Sequence, residues 1–495
     1  MNIHTEKQET ILDVEKPSIY DYAEAVSLHV SDRQNKLHLE TQGIRPVPED
    51  QRTHTRILDN FTIWCSIDTT LANVSIGVLA IPVFGLGFWD SFACILICNV
   101  IAVLPGAFFV SLGPRYGLRQ MVLSRYSFGM LGCILAAVVN IIVCLGWSVI
   151  NVILAGQLLA TVSDNKLPMY GGIILVAAVT LAITVFGYKV LHHFERWAWI
   201  VMWIAFFIVF GLGVKHMRVT PTSETGATEA GAFLSFAASI IGFNPGWVTC
   251  AADYSVNMPS TFDRRIVFTL AFLGAFLPCV LLQTLGVGLT TAISANAAWS
   301  LAYDTNGVGG LVGQAVSPVG AFGKFLLVIL ACGIITCNVP NNYSASLSVQ
   351  TIAPLFQRVP QWFFTILATI VYTVAACVGA EHFAELLENF MLLIAYYCGP
   401  YAMILILEHN VFRRGVYPVE SWNSAKELPV GVAAVSGIVV GFGGALLGMN
   451  QSWFVGPISK RIGQYGGDVG FELAIVFGSV TFLGLRYLER RIFGR

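Results

Sequence analysis

The chain has 495 residues, of which 56% are hydrophobic and 12% charged, with a formal net charge of −1. An ordinary soluble domain carries about 25% charged residues, so this is the composition of a chain that crosses a membrane many times, with the lipid bilayer as its constant partner. A net charge near zero leaves no basic footprint for nucleic acid, and no phosphate-binding glycine pattern stands where a strand would precede a helix.

In chain order, residues 1–57 are polar and mixed in charge, with no basic-then-apolar leader. They predict a largely disordered tail ahead of a transmembrane domain at 58–488 and a short tail at 489–495. About 20 apolar residues cross a bilayer as a helix. On that template twelve spans are expected, near 62–88, 91–112, 127–160, 170–188, 197–214, 231–252, 266–293, 319–343, 361–380, 385–407, 430–449 and 469–487. The expected fold is therefore an all-α polytopic membrane protein. With the N-terminus inside, eighteen Lys and Arg residues flank the inner span ends against six outside, which predicts both termini in the cytoplasm. All eleven cysteines fall in apolar segments, where cysteine packs as a small hydrophobe, so no disulfide framework is expected.

Two spans carry helix breakers. ANVSIGVLAIP, residues 72–82, is expected to interrupt the first, and GFNPGWVTCAADYS, residues 242–255, the sixth. Glycine and proline alone only kink many membrane helices. Breaks five spans apart point further, to a 5+5 inverted repeat plus two spans, with a substrate held between the broken helices near the midplane.

Polar groups deep in a membrane are candidates for function. In the third span Trp147 and Asn151 are four residues apart and share a helical face. That pair offers a ring to stack on and an amide to hydrogen-bond a flat heterocycle. In the sixth, Gly246 lets a ligand approach broken backbone, and Trp247 beside it could sandwich a ring against Trp147. In the eighth, CNVPNNYS places Asn338 and Asn342 on one face while Asn341 points about 100° away. Each amide has donors and an acceptor that match a nucleobase edge, and Pro340 is expected to loosen the backbone beside them. The alternative for each is packing or helix–helix hydrogen bonding. Asp68, Asp253 and Glu388 are the acids available to carry a proton; Glu388, in LLENFMLLIAYY, reads as the deepest, while caps or gate ion pairs are the plain alternative. His192, His193 and Glu195 look metal-like but read as a solvated loop. No metal, cofactor or catalytic dyad is implied, and no oligomeric state.

These stretches together resemble the fungal purine-cytosine permeases of the nucleobase-cation-symport family. The resemblance runs through PVPEDQR (46–52), GLRQMVLSRYSFG (117–129), GFNPGWVTCAADYSVNMP (242–259), NVPNNY (338–343), ENFMLLIAYY (388–397), YGGDVGFEL (465–473) and the terminal FGR. It implies a LeuT-type fold and uptake of cytosine and purines (adenine, guanine, hypoxanthine) across the plasma membrane by proton symport. It also implies a binding set at Ser75, Trp147, Asn151, Trp247, Asn338 and Asn342. Val248 stands where relatives often have Thr or Gln, which leaves the substrate ranking open. Cys332 and Gly333 stand where sodium-coupled relatives have hydroxyls, and hard cations prefer oxygen ligands, which argues for protons. Carriage of another flat heterocycle such as pyridoxine, thiamine or a hydantoin is the alternative; a non-transporting receptor leaves the broken helices unexplained.

Overall fold

The computed structural model describes residues 44–186, 188–353 and 355–495, with the side chains of 186–198 and 357 outside the description. The expected disorder of residues 1–43 and the metal-like side chains of His192, His193 and Glu195 lie outside the described residues; the backbone at 192–195 is helical rather than a loop. The principal helices are α1 (Asp59–Asp68), α2 (Leu71–Leu79), α3 (Phe88–Val110), α4 (Gln120–Val162), α5 (Met169–Phe186), α6 (Tyr188–Gly213) and α7 (Ala227–Phe243). They continue with α8 (Arg264–Thr290), α9 (Ala297–Val316), α10 (Ala321–Ile352), α11 (Gln361–Gly379), α12 (Phe383–Leu407), α13 (Val432–Gly448) and α14 (Gly470–Phe493).

Among the described residues eight helical stretches are long and apolar enough to cross a membrane, or nine if the bent pair α1 and α2 is one span. The shorter apolar helices α5 and α13, and the division of 361–412 into α11 and α12, bring the total to about twelve. Spans 1 to 5 are then α1 with α2, α3, α4, α5 and α6. Spans 6 to 10 are α7 with its following turns, α8, α10, α11 and α12.

The packing repeats at an interval of five spans. Span 1 packs on span 7, and span 6 on span 2; span 5 packs on span 1, and span 10 on span 6; span 3 packs on span 9, and span 8 on span 4. Spans 2 and 7 pack on each other, as do spans 3 and 8. Each contact has its counterpart under a shift of five, as an inverted repeat requires.

The same symmetry accounts for a helix that hydropathy misses. Between spans 7 and 8 lies α9, whose sequence AAWSLAYDTNGVGGLVGQAV is too polar to read as a span. Its counterpart between spans 2 and 3 is the stretch 120–128, joined to span 3 across a break at Gly129. Both breaks turn on a glycine with positive φ, 65° at Gly129 and 54° at Gly307, a region that a side chain disfavours.

The first span breaks earlier than expected. Residues 71–79 are helical, so Ser75 is not on unwound backbone; α1 and α2 meet at 54° across Thr69 and Thr70. Thr70 has extended backbone and its hydroxyl accepts from the Ala72 N–H at 3.0 Å, capping α2. The sixth break falls where expected: Asn244–Thr249 and Ala251–Tyr254 are tight turns with Pro245 at the start. Proline removes a helical hydrogen bond and clashes with the preceding turn. Pro340, by contrast, does not loosen span 8, which stays helical from Ala321 to Ile352.

Residues 44–57, which the sequence reading places in the tail, include a packed segment. Val47 N–H donates to the Gly117 carbonyl at 2.9 Å, His54 N–H to Asn257 at 3.0 Å, and Arg52 Nε to Val47 at 3.0 Å. The segment bridges the C-terminal ends of spans 2 and 6. Tyr116 on that face donates to Gly415, and Arg490 near the C-terminus donates to Phe412, so both described ends lie on one face of the bundle.

Candidate substrate site

Spans 3 and 8 run antiparallel. Asn140 Nδ2 donates to Ser344 Oγ at 3.1 Å and Ser348 Oγ at 2.7 Å, while eleven residues further along span 3 Asn151 Nδ2 reaches Cys337 Sγ at 3.9 Å. Trp147, one turn before Asn151, is therefore level with residues 338–341 of span 8. The Trp147 ring is held edge-on by Phe243 of span 6 (5.0 Å, 80°) and Phe390 of span 10 (5.8 Å, 76°). Its Nε1 points at the sixth break: a Cβ added to Gly246 would lie 2.8 Å from that nitrogen. Gly246 is therefore required for the close approach of indole and broken backbone.

The polar atoms around this level are buried and without hydrogen-bond partners. They are Trp147 Nε1, Asn151 Oδ1, both side-chain atoms of Asn338, and Asn342 Oδ1. Asn342 Nδ2 has a long bond to Tyr372 Oη at 3.4 Å, and Asn341 Nδ2 turns back to the Cys337 carbonyl of its own helix at 3.4 Å. A buried polar group without a partner costs about 1–3 kcal/mol, so a cluster spread over two packed spans is a place built for something that pairs with it. Ser75, fully buried, donates to the Ala72 carbonyl at 2.7 Å and can still accept. Asn73 and Gly77 face Gln283 of span 7; at 100° per residue Ser75 then faces away from span 7.

Two expectations are corrected here. Trp247 does not stand opposite Trp147: among the described residues its ring neighbours are Trp64 (6.0 Å) and Tyr254 (6.5 Å). The tight turn sends the Gly246 backbone toward span 3 and the next side chain toward span 1, so the two-tryptophan sandwich is not formed in this conformation. Nor is Glu388 the deepest acid. It is half-buried in the second turn of α12, whereas Asp68 is 1% exposed at the bend of span 1. Asp253 Oδ1 accepts from the Gln120 N–H at 2.7 Å and Gln120 Oε1 accepts from the Ala252 N–H at 3.3 Å, a reciprocal cap of the 120–128 helix.

Cys332 is exposed on the outer surface of span 8, and Gly333 packs against Met202. Neither position lies among the unpartnered polar atoms of the substrate site.

The sequence reading missed a buried amide ladder. Asn73 Nδ2 donates to the Asp68 carbonyl at 2.6 Å, Gln283 Nε2 to Asn73 Oδ1 at 3.0 Å, and Asn99 Nδ2 to Gln283 Oε1 at 2.7 Å. It ties the first break to spans 7 and 2. Three amides at membrane depth were the available signal, with the Asp-Thr-Thr cap beside them.

Residues 46–456 match the model of a family described as permeases for cytosine/purines, uracil, thiamine and allantoin. The chain belongs to that family. The permease is 38% identical to the purine-cytosine permease fcyB of Emericella nidulans over 481 residues, covering 96% of this chain and 94% of that one. It is 30% identical to the vitamin B6 transporter TPN1 of Saccharomyces cerevisiae over 550 residues, covering 100% and 94%. Its fold is similar to that of Mhp1, a nucleobase-cation-symport-1 family transporter solved closed with bromovinylhydantoin bound, at TM-score 0.70, 14% identity and coverage of 92% and 96%. The permease is thus a multi-pass membrane transporter of LeuT-like fold and not an enzyme.

Proposed function

We propose that the permease takes up cytosine and purine nucleobases, adenine, guanine and hypoxanthine among them, across the plasma membrane by proton symport, with both termini in the cytoplasm. The observation that carries the reading is the cluster of unpartnered amide atoms on Asn151, Asn338 and Asn342 level with the Trp147 ring. A nucleobase is flat and displays alternating donors and acceptors, so it stacks on the indole and pairs with those amides. Ser75, Gly246 and Trp247 complete the proposed set, Trp247 after turning from its present place. The name of the Emericella relative supports the same substrate class. Net accumulation of a neutral base requires a coupled ion, and a proton needs only an acid at membrane depth; of Asp68, Asp253 and Glu388, Asp68 is the most buried. The excess of Lys and Arg on one set of span ends supports the orientation.

A second reading, carriage of another flat heterocycle, is favoured by the likeness to the vitamin B6 transporter along the whole chain. Stacking on Trp147 alone would serve pyridoxine as well; the amide cluster favours a ring with more edge donors and acceptors. The test is uptake of labelled cytosine in cells lacking their own nucleobase carriers, competed by bases, pyridoxine, thiamine and a hydantoin, with sodium replaced by choline and with a protonophore. Competition by pyridoxine and not by bases would refute the substrate class. Uptake that needs sodium and ignores the protonophore would refute the coupling.

A further inference from the structure

Asp68 closes α1 at the bend of span 1, and its two halves are treated differently. Its backbone carbonyl accepts from Asn73, which the ladder through Gln283 and Asn99 anchors to spans 7 and 2. Its carboxylate is buried, and neither oxygen has a hydrogen-bond partner. Among the described residues it makes no ion pair with Arg, Lys or His. The Trp247 ring lies against the same face of span 1: Trp64, one turn before Asp68 on the same helix, holds it edge-on at 6.0 Å. The other ionisable groups nearby are Cys65 on its own helix and Cys279 on span 7, with Tyr254 of span 6 edge-on to both Trp64 and Trp247. Both thiols are occupied: Cys65 Sγ accepts from Trp203 Nε1 at 3.2 Å and Cys279 Sγ from Asn244 Nδ2 at 3.0 Å.

We propose that Asp68 is the proton-binding group of the transport cycle and that its charge decides which side of the sixth break the Trp247 indole occupies. The inference rests on the proton-symport reading above. An isolated buried carboxylate is costly, and hydrogen bonds to an ionised acceptor are roughly twice as strong as those between neutral groups. The ionised form therefore attracts the indole N–H and keeps Trp247 on the span 1 side, where its ring stands in this structure. A proton taken from the outer solution neutralises the carboxylate and removes that hold. Trp247 is then free to turn toward the face that Gly246 and Trp147 already share, where it closes on a base. Because the ladder pins the Asp68 backbone, the change of charge is read by the Trp247 side chain and not spent in shifting the helix. Proton and base then favour each other's binding by the same factor, as linkage demands. Release of the proton to the inner solution returns Trp247 to Asp68 and lets the base go.

The test compares wild type with Asp68→Asn, Asp68→Glu and Trp247→Phe, each checked for surface level with a fluorescent tag. Two assays are read on each: accumulation of labelled cytosine against a gradient, and exchange of labelled for unlabelled cytosine at equal concentrations, which needs no driving force. Asp68→Asn is expected to keep measurable exchange while accumulation falls to the equilibrium ratio and pH dependence is lost. Asp68→Glu is expected to keep accumulation with a displaced pH midpoint. Trp247→Phe, lacking the indole N–H, is expected to show a smaller difference in apparent affinity between pH 5 and pH 8. If Asp68→Asn does not reach the surface, the Glu variant decides: a pH profile identical to wild type overturns the assignment. Wild-type accumulation that ignores a protonophore overturns the proton reading and this inference with it. Accumulation abolished by the protonophore in wild type, beside an Asp68→Asn variant that still accumulates, overturns the role of Asp68 alone.

Discussion

Gly246→Ala isolates the contact between the broken backbone and Trp147. Gly246 does not have a positive φ, so alanine meets no backbone strain there. Its new methyl would lie 2.8 Å from Trp147 Nε1, about 0.6 Å short of ordinary contact. Trp147 cannot retreat freely, because Phe243 and Phe390 hold its ring edge-on at 5.0 and 5.8 Å. Overpacking of this kind costs about 1–3 kcal/mol, and at about 1.4 kcal/mol per factor of ten that is a roughly 5- to 150-fold loss in apparent affinity for cytosine. The assay is concentration-dependent uptake normalised to surface level, with Gly211→Ala as the control, since a methyl there meets nothing within 4 Å. Gly246→Ala with Trp147→Phe, which removes the clashing nitrogen, should be less than additive, as residues in contact are. A wild-type KM for Gly246→Ala at normal surface level, or full additivity of the pair, would refute the placement of Trp147 against the break.

Asn338→Ala should weaken cytosine binding by about 1–3 kcal/mol, far more than Asn341→Ala, whose amide bonds only to its own helix; competition uptake compares them, and equal losses would contradict the site. Gln283→Leu should destabilise the permease by about 1–3 kcal/mol for each amide it strands, Asn73 and Asn99 being its partners; thermal unfolding in detergent measures this, and an unchanged midpoint would mean that the ladder carries no stability. In the packed segment 44–57, Glu49 accepts from the Ser260 N–H at 2.8 Å, which with Arg52 holds its carboxyl below the usual range. The docked segment therefore has this contribution in full above the free carboxyl's pKa and loses it as pH falls through the lowered one. Hydrogen exchange of residues 44–57 should rise at acid pH in wild type and be raised already at neutral pH in Glu49→Gln.

The sequence by itself determined the class of molecule, the spans and most of the residues of the proposed site. Those features follow from local composition: a run of apolar residues long enough for a bilayer, a Pro-Gly pair that no helix can absorb, amides four residues apart on one face. Composition could not show α9, whose polarity hides a helix that its repeat partner at 120–128 makes intelligible. It misplaced the first break, because the glycine and proline of residues 72–82 stand out while the stop at Thr69 and Thr70 depends on a hydroxyl cap. Only the tertiary structure decided the direction in which each polar group faces. Trp247 turns to Trp64 of span 1 and not to Trp147, Cys332 looks outward, and Glu388 lies near a helix end, since rotation about a span and depth in the bundle are set by packing against other spans. The unpartnered state of Asn338 and of the Asp68 carboxylate is likewise a property of the assembled helices: a residue's hydrogen-bonding capacity is written in its type, but whether anything satisfies it depends on chain hundreds of residues away.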